Sequence, residues 1–146
     1  MNNVIDKLNQ YLADLAVEYV KLHNYHWNVY GQGFFTLHGK LEDAYESIAK
    51  EMDDVAERIL AIGGKPKGSL KNYMETATIQ EAAEEGITGL ATIKSVQTDY
   101  QNLLAQAKGI KEAAEEAKDY GTSSFIDGAI VNFEKTLWMF NSYLKS

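Results

Sequence analysis

Residues 34–64 read FFTLHGKLEDAYESIAKEMDDVAERILAIGG, and this stretch decides the fold. Its apolar positions are Leu37, Leu41, Ala44, Ile48, Met52, Val55, Ile59 and Ile62. They recur at alternating steps of three and four, the period of an amphipathic helix. Thr36 is the expected N-cap, and Gly63–Gly64 followed by Pro66 is the expected stop.

Stripes of the same period flank it. Upstream run Leu8, Leu12, Leu15, Tyr19, Leu22 and His26, ending near the Gly31–Gln32–Gly33 turn. Downstream lies a looser stretch with a short helix expected around residues 70–75 and a capping box expected at Thr78-Ile79-Gln80-Glu81. A third long helix carries Ile93, Val96, Tyr100, Leu103, Ala107, Ile110, Ala114 and Ala117, and is expected to stop before Gly121. The fourth is expected to start near Ser123 or Ser124 and carries Ile126, Ile130, Phe133, Leu137, Phe140 and Leu144. No segment sustains period-two alternation, so no sheet is expected. Two long helices, a connection holding a short helix, then two more long helices predict an all-α fold. It is a ferritin-like four-helix bundle with one crossover, a single domain over residues 1–146.

Composition excludes several function classes. Cysteine is absent, so disulfides and thiolate metal sites are ruled out. No apolar run reaches membrane-spanning length, and Asp6, Lys7, Asn9 and Gln10 interrupt any secretory-type start. A cytoplasmic location without membrane contact is expected. Net charge is −7, from 21 acidic against 14 basic residues, and Arg58 is the only arginine. The lysines are scattered and neither end carries a basic tail, so DNA binding is not expected. Such a surface suits small cations better.

The chemistry lies with the histidines and nearby acids. His38 and Glu42 are spaced i, i+4, as are Asp53 and Glu57, so each pair shares a helix face and can clamp a metal at two points. At roughly 100° per residue, Glu42, Asp53 and Glu57 lie about 40°, 60° and 100° from His38 around the helix. Along the axis they are not together: Glu42 and Asp53 are separated by about 16 Å at 1.5 Å per residue, against metal–ligand bonds of about 2 Å. Two copies of the helix, antiparallel about a two-fold axis, resolve this. The His38/Glu42 end of one then meets the Asp53/Glu57 end of the other. His26, returned by the glycine turn, joins His38 to give two imidazoles and three carboxylates. That set suits iron, zinc, cobalt or manganese. Asp/Glu pairs at this spacing are usually a solvated face, and a lone His in an apolar stripe is usually a satisfied core residue. His23 is placed in that class. The joint arrangement of the other five residues is what favours a site. The Glu-x-x-His motif of larger di-iron bundles is absent, since Val20, His23 and Phe35 precede the three histidines by three.

With these residues assembled, the chain resembles the Dps-like miniferritins over essentially its whole length. The resemblance is carried by NYHWNVYG around His26-Trp27, by the segment from Phe34 to Gly64, and by Leu137-Trp138-Met139-Phe140. It implies a homododecameric hollow shell that oxidises Fe(II) with hydrogen peroxide, preferentially, or oxygen. The dinuclear site lies between subunits, with His26, His38, Glu42, Asp53 and Glu57 as ligands. It holds two irons at most, with zinc or another divalent metal able to substitute. Many members carry Asp where this chain has Glu42. The family's iron-access pores are lined by acids near the start of the last helix, where this chain has Glu115, Glu116, Asp119 and Asp127. Trp27 and Trp138 are expected to pack in the core, with uptake of stray oxidising equivalents as a second role. The competing functions are a DNA-binding protective protein of the same family and a metal-free helical scaffold.

Overall fold

The computed structural model describes residues 1–145. Its long helices are α1 (Asn2–Asn28), α2 (Phe34–Ala61), α4 (Gly89–Glu116) and α5 (Tyr120–Leu144), with the short α3 (Leu70–Thr76) in the crossover. α1 packs on α2, α4 on α5, and α1 on α4. The apolar stripes meet in one core that includes Leu8, Leu15, Leu22, Ile48, Val55, Leu103, Ile110, Ile126 and Phe133. The ferritin-like bundle expected from periodicity is therefore present, extra helix included.

Helix ends depart from expectation in instructive ways. α2 starts two residues before Thr36, capped by Gly33 in the left-handed region (φ 79°), because the tight turn leaves no room for a longer approach. Its other end closes as expected. Gly63 adopts φ 89°, its N–H bonds the Leu60 carbonyl, and the Gly64 N–H bonds that of Ile59, a Schellman closure. The box at Thr78 opens no helix. Its amides at Thr78 and Ile79 are taken by the buried Asp14 carboxylate at 2.7 and 2.8 Å, which also accepts from the Thr78 hydroxyl, Gln10 and Gln106. Thr88 caps α4 instead, accepting from the Ala91 amide.

α4 stops before Gly121 as expected, at Glu116, but α5 begins at Tyr120, ahead of Ser123. Lys118 takes the left-handed conformation (φ 58°), and Asp119 closes α4 with its amide while its side chain caps α5 through the Thr122 amide. A two-residue parallel pairing joins β1 (Val29–Tyr30) to β2 (Ile87–Thr88), where no sheet was expected. Two residues are too few for any alternation to register. Among the described residues no helix is long and apolar enough to cross a membrane.

Candidate metal centre

Between α1 and α2 the chain reverses through Gly31 and Gly33, both at positive φ, and the Phe34 amide closes the turn on the Gly31 carbonyl. His26 in the last turn of α1 thereby meets His38 in the first turns of α2. Their rings stack with centroids 3.7 Å apart and planes 12° from parallel. The hydrogen bonding is reciprocal: His26 Nδ1 donates to the His38 carbonyl at 2.7 Å, and His38 Nδ1 to the His26 carbonyl at 2.8 Å. A carbonyl can only accept, so each Nδ1 carries a proton, and in the neutral ring the Nε2 is then the lone-pair nitrogen. Backbone-anchored imidazoles of this kind are what metal sites use to orient nitrogen ligands. His38 also satisfies a carbonyl in the last turn of α1, where intrahelical donors run out.

His26 is buried, 6% exposed, and its Nε2 lies 3.8 Å from Glu42 Oε1, whose side chain is about half exposed. The nitrogen forms the floor and the carboxylate the rim. Aromatic rings wall the pair in. Phe34 stacks on His38 at 5.1 Å, and Tyr45 stands edge-on to His26 at 5.4 Å. Partial burial, with Glu42 and Glu46 nearby, pushes the Tyr45 phenol up. His23 is satisfied as expected, donating from Nδ1 to the Tyr19 carbonyl at 2.8 Å, but it is only half-buried and stacks on Tyr45 at 3.7 Å.

At the other end of α2, Asp53 and Glu57 converge as the spacing requires, and Asp54 joins them. One carboxylate oxygen from each lies within 4.8 Å of the others. Asp54 was missed because its Cα sits about 100° round the helix from Asp53; side-chain rotation makes up the difference. It is held by the Lys50 ammonium at 2.9 Å. α2 runs unbroken between the two ends, so the axial separation of about 16 Å stands. The structure thus brings His26 against both His38 and Glu42, and Asp53 with Glu57, but does not join the two groups within one chain. Beside Asp53 lies a shallow groove of about 330 Å³, lined by Leu12, Tyr19, Ala49, Met52, Ala56 and Tyr73.

One expectation fails. Trp27 and Trp138 do not pack in the core of the chain; they are 70% and 64% exposed, since each lies off the inward stripe of its helix. Of the pore acids, Asp119 is buried and committed to Arg58 and Thr122, and Lys111 engages Glu115 and Asp127. Glu116 stays exposed.

The chain is similar to known proteins over most of its length. A family model for the ferritin-like domain matches residues 5–146. The "DNA protection during starvation protein 2" of Bacillus anthracis is 43% identical over 141 residues, covering 97% of this chain and 96% of that one. The crystal structure of a Dps protein from Bacillus brevis superposes with a TM-score of 0.94 at 39% identity, covering 98% of this chain and 95% of that one. A Dps protein from Vibrio cholerae O1, described as belonging to a broad superfamily of ferritin-like diiron-carboxylate proteins, matches with a TM-score of 0.94 at 35% identity, covering 98% of this chain and 89% of that one.

Proposed function

This chain belongs to the Dps family of ferritin-like proteins, and we propose on that footing that it is a ferroxidase and iron store. Fe(II) is its substrate, hydrogen peroxide the preferred oxidant over oxygen, and a hollow homododecamer the store for the ferric product. One observation carries the reading. The His26/His38 pair is stacked and reciprocally anchored, with Glu42 beside His26, while the complementary acids stand at the far end of the same unbroken helix. Each chain holds two half-sites. An antiparallel two-fold pairing of α2 helices makes two whole ones, and the apolar groove beside Asp53 supplies surface for that contact.

In the completed site, His26, His38 and Glu42 come from one subunit and Asp53 and Glu57 from its neighbour, with room for two irons at most. Zinc or another divalent metal can occupy the same N/O set. The overall chemistry balances as two Fe(II), one hydrogen peroxide and two waters giving two FeO(OH) and four protons. Peroxide takes both electrons, one from each iron, so its O–O bond breaks without releasing a one-electron fragment. The protein fixes the imidazoles, gathers carboxylates to bind and neutralise the cations, and keeps the two iron positions close.

Fe(II) oxidation with peroxide and with oxygen, followed by ferric absorbance, tests this. A chain carrying both His38→Ala and Asp53→Ala should fold and lose rapid oxidation. Assemblies mixing His38→Ala chains with Asp53→Ala chains should recover part of it, because a mixed pair contains one intact site. No recovery would place all ligands in one chain and overturn the shared site. Unaltered kinetics in the double variant would overturn the ligand set and leave the scaffold reading.

The relatives' names raise DNA binding, but the charge of −7 opposes it, and the single arginine is engaged by Asp119 and Thr122. Protection of DNA through removal of iron and peroxide needs no contact with it. Retardation of DNA in a low-salt gel shift is the result that would reverse this.

A further inference from the structure

Deep in the bundle, away from the histidines, lies a group of charges that iron chemistry does not use. Glu18, in the middle of α1, is fully buried, and neither of its oxygens meets a donor. The polar group it faces is the carboxyl of Asp99 on α4, also buried. Asp99 in turn holds the ammonium of the buried Lys21 at 2.9 Å. The contrast with Asp14, one turn earlier on α1, is plain: Asp14 is equally buried but accepts from backbone and side-chain donors on three sides.

Two carboxylates facing each other in a dry core repel, and both are acceptors. A single added proton removes both problems. It gives one oxygen a donor for the other and brings two carboxyls and one ammonium to neutrality. Because Lys21 sits on Asp99, Asp99 is the anion and Glu18 carries the proton.

We propose that Glu18 and Asp99 share one proton in the core, with Lys21 as counter-ion, and that this proton latches α1 to α4 until alkaline solution removes it. Burial, then the hydrogen bond and charge of Asp99, push the Glu18 carboxyl well above its ordinary range, against the opposing pull of Lys21. The groups facing Glu18 are Asp14 and Lys21 on its own helix and Asp99 on α4. Tyr100, also on α4, is buried and pushed up by burial, Glu18 and Asp99. Phe133 and Phe140 of α5 close over Tyr100, and on the α2 side Glu51 is turned to Tyr11. The sign follows from linkage. A carboxyl raised in the folded state binds its proton more tightly there than in the unfolded chain. Its contribution is favourable in acid, declines as pH rises above the ordinary carboxyl range, and becomes a full penalty beyond the folded value.

Thermal unfolding of the assembled protein between about pH 6 and about pH 10, comparing native chain with Glu18→Gln, tests the latch. The native melting temperature should fall toward alkaline pH by several degrees more than that of the variant. Parallel pH profiles overturn the proposal. Infrared spectra keep the question open to refutation if Glu18→Gln fails to assemble. In a Glu51→Gln background, which removes the half-buried glutamate that is also raised, a protonated carboxyl carbonyl band should be present at neutral pH and move on ¹³C-glutamate labelling. It should vanish reversibly in alkali. A missing band, or one that moves only with ¹³C-aspartate, overturns the assignment. In Lys21→Met the band should persist to higher pH, and an unchanged midpoint overturns the counter-ion role.

Discussion

The two ends of α2 are built on opposite plans. At the amino end, His26 and His38 are fixed by mutual carbonyl bonds, stacked on each other and walled by Phe34 and Tyr45. At the carboxyl end, Asp53 and Glu57 are exposed and Asp54 is tied to the exposed Lys50. The difference teaches how the labour is divided. Imidazole binds along one direction and must be aimed in advance, whereas carboxylates bind from several angles and can settle round a cation after it arrives. Each chain offers a rigid half and a compliant half, and the proposed antiparallel pairing would match each rigid half with a compliant one.

That contrast can be broken in four places. The largest effect is expected from removing an aimed nitrogen: His26→Ala should slow peroxide-driven Fe(II) oxidation by about 100-fold, against about 10-fold for Glu57→Ala, whose neighbour Asp54 can substitute in part. Equal losses in stopped-flow traces would mean the acid end is as tightly specified as the histidine end.

Next comes the packing beneath the histidines. A Cβ on Gly89 would collide with the Leu37 side chain, next to His38, and crowd the Tyr143 hydroxyl. Gly89→Ala should lower stability in denaturant titrations by about 1–3 kcal/mol and disturb iron binding at the histidine end, with the acid end unaffected.

The carboxyl end of α2 is backed by Arg58, which bonds Asp119 at 3.1 Å and the Thr122 hydroxyl at 2.9 Å. Burial alone would raise the Asp119 carboxyl, but hydrogen bonds from the Thr122 hydroxyl and amide, and then Arg58, outweigh it and hold the group below its ordinary value. Asp119→Ala should cost about 1 kcal/mol at neutral pH through the lost helix cap. A lowered carboxyl stabilises above its ordinary titration range and loses that contribution as pH falls through the folded value. The gap between native and variant melting temperatures should therefore narrow in acid. A constant gap would mean the charge of Asp119 plays no part.

The smallest effect is expected for Lys50→Ala. Its ion pair is solvent-exposed, so the melting temperature should stay put while Fe(II) binding tightens slightly as Asp54 is released. Weaker binding would make Lys50 a contributor to the site and not a competitor.

Much of this was legible in the amino-acid sequence, for identifiable reasons. The inward stripes of the long helices record burial directly, so Leu8, Ile48, Leu103 and Ile126 could be assigned to the core before any coordinates. The pairs His38/Glu42 and Asp53/Glu57 follow from helix pitch alone. What did not transfer depends on partners distant along the chain. Thr78 carries a helix-start pattern, yet Asp14, 64 residues away, claims its amide. Asp54 enters the acidic group by side-chain rotation, which spacing does not encode. The exchanged carbonyl bonds of His26 and His38 need both helices in place. Trp27 and Trp138 look like core residues by type and face outward by register.

The small parallel clasp has a consequence for biosynthesis. Val29 and Tyr30, directly after α1, pair with Ile87 and Thr88, beyond the whole crossover. A nascent chain exposes both imidazoles long before the strand that pins their hairpin has left the ribosome. On the proposed function, metal competence would be a late acquisition, reached when the second helical hairpin docks, and a half-made chain meeting iron would lack the finished geometry to act on it.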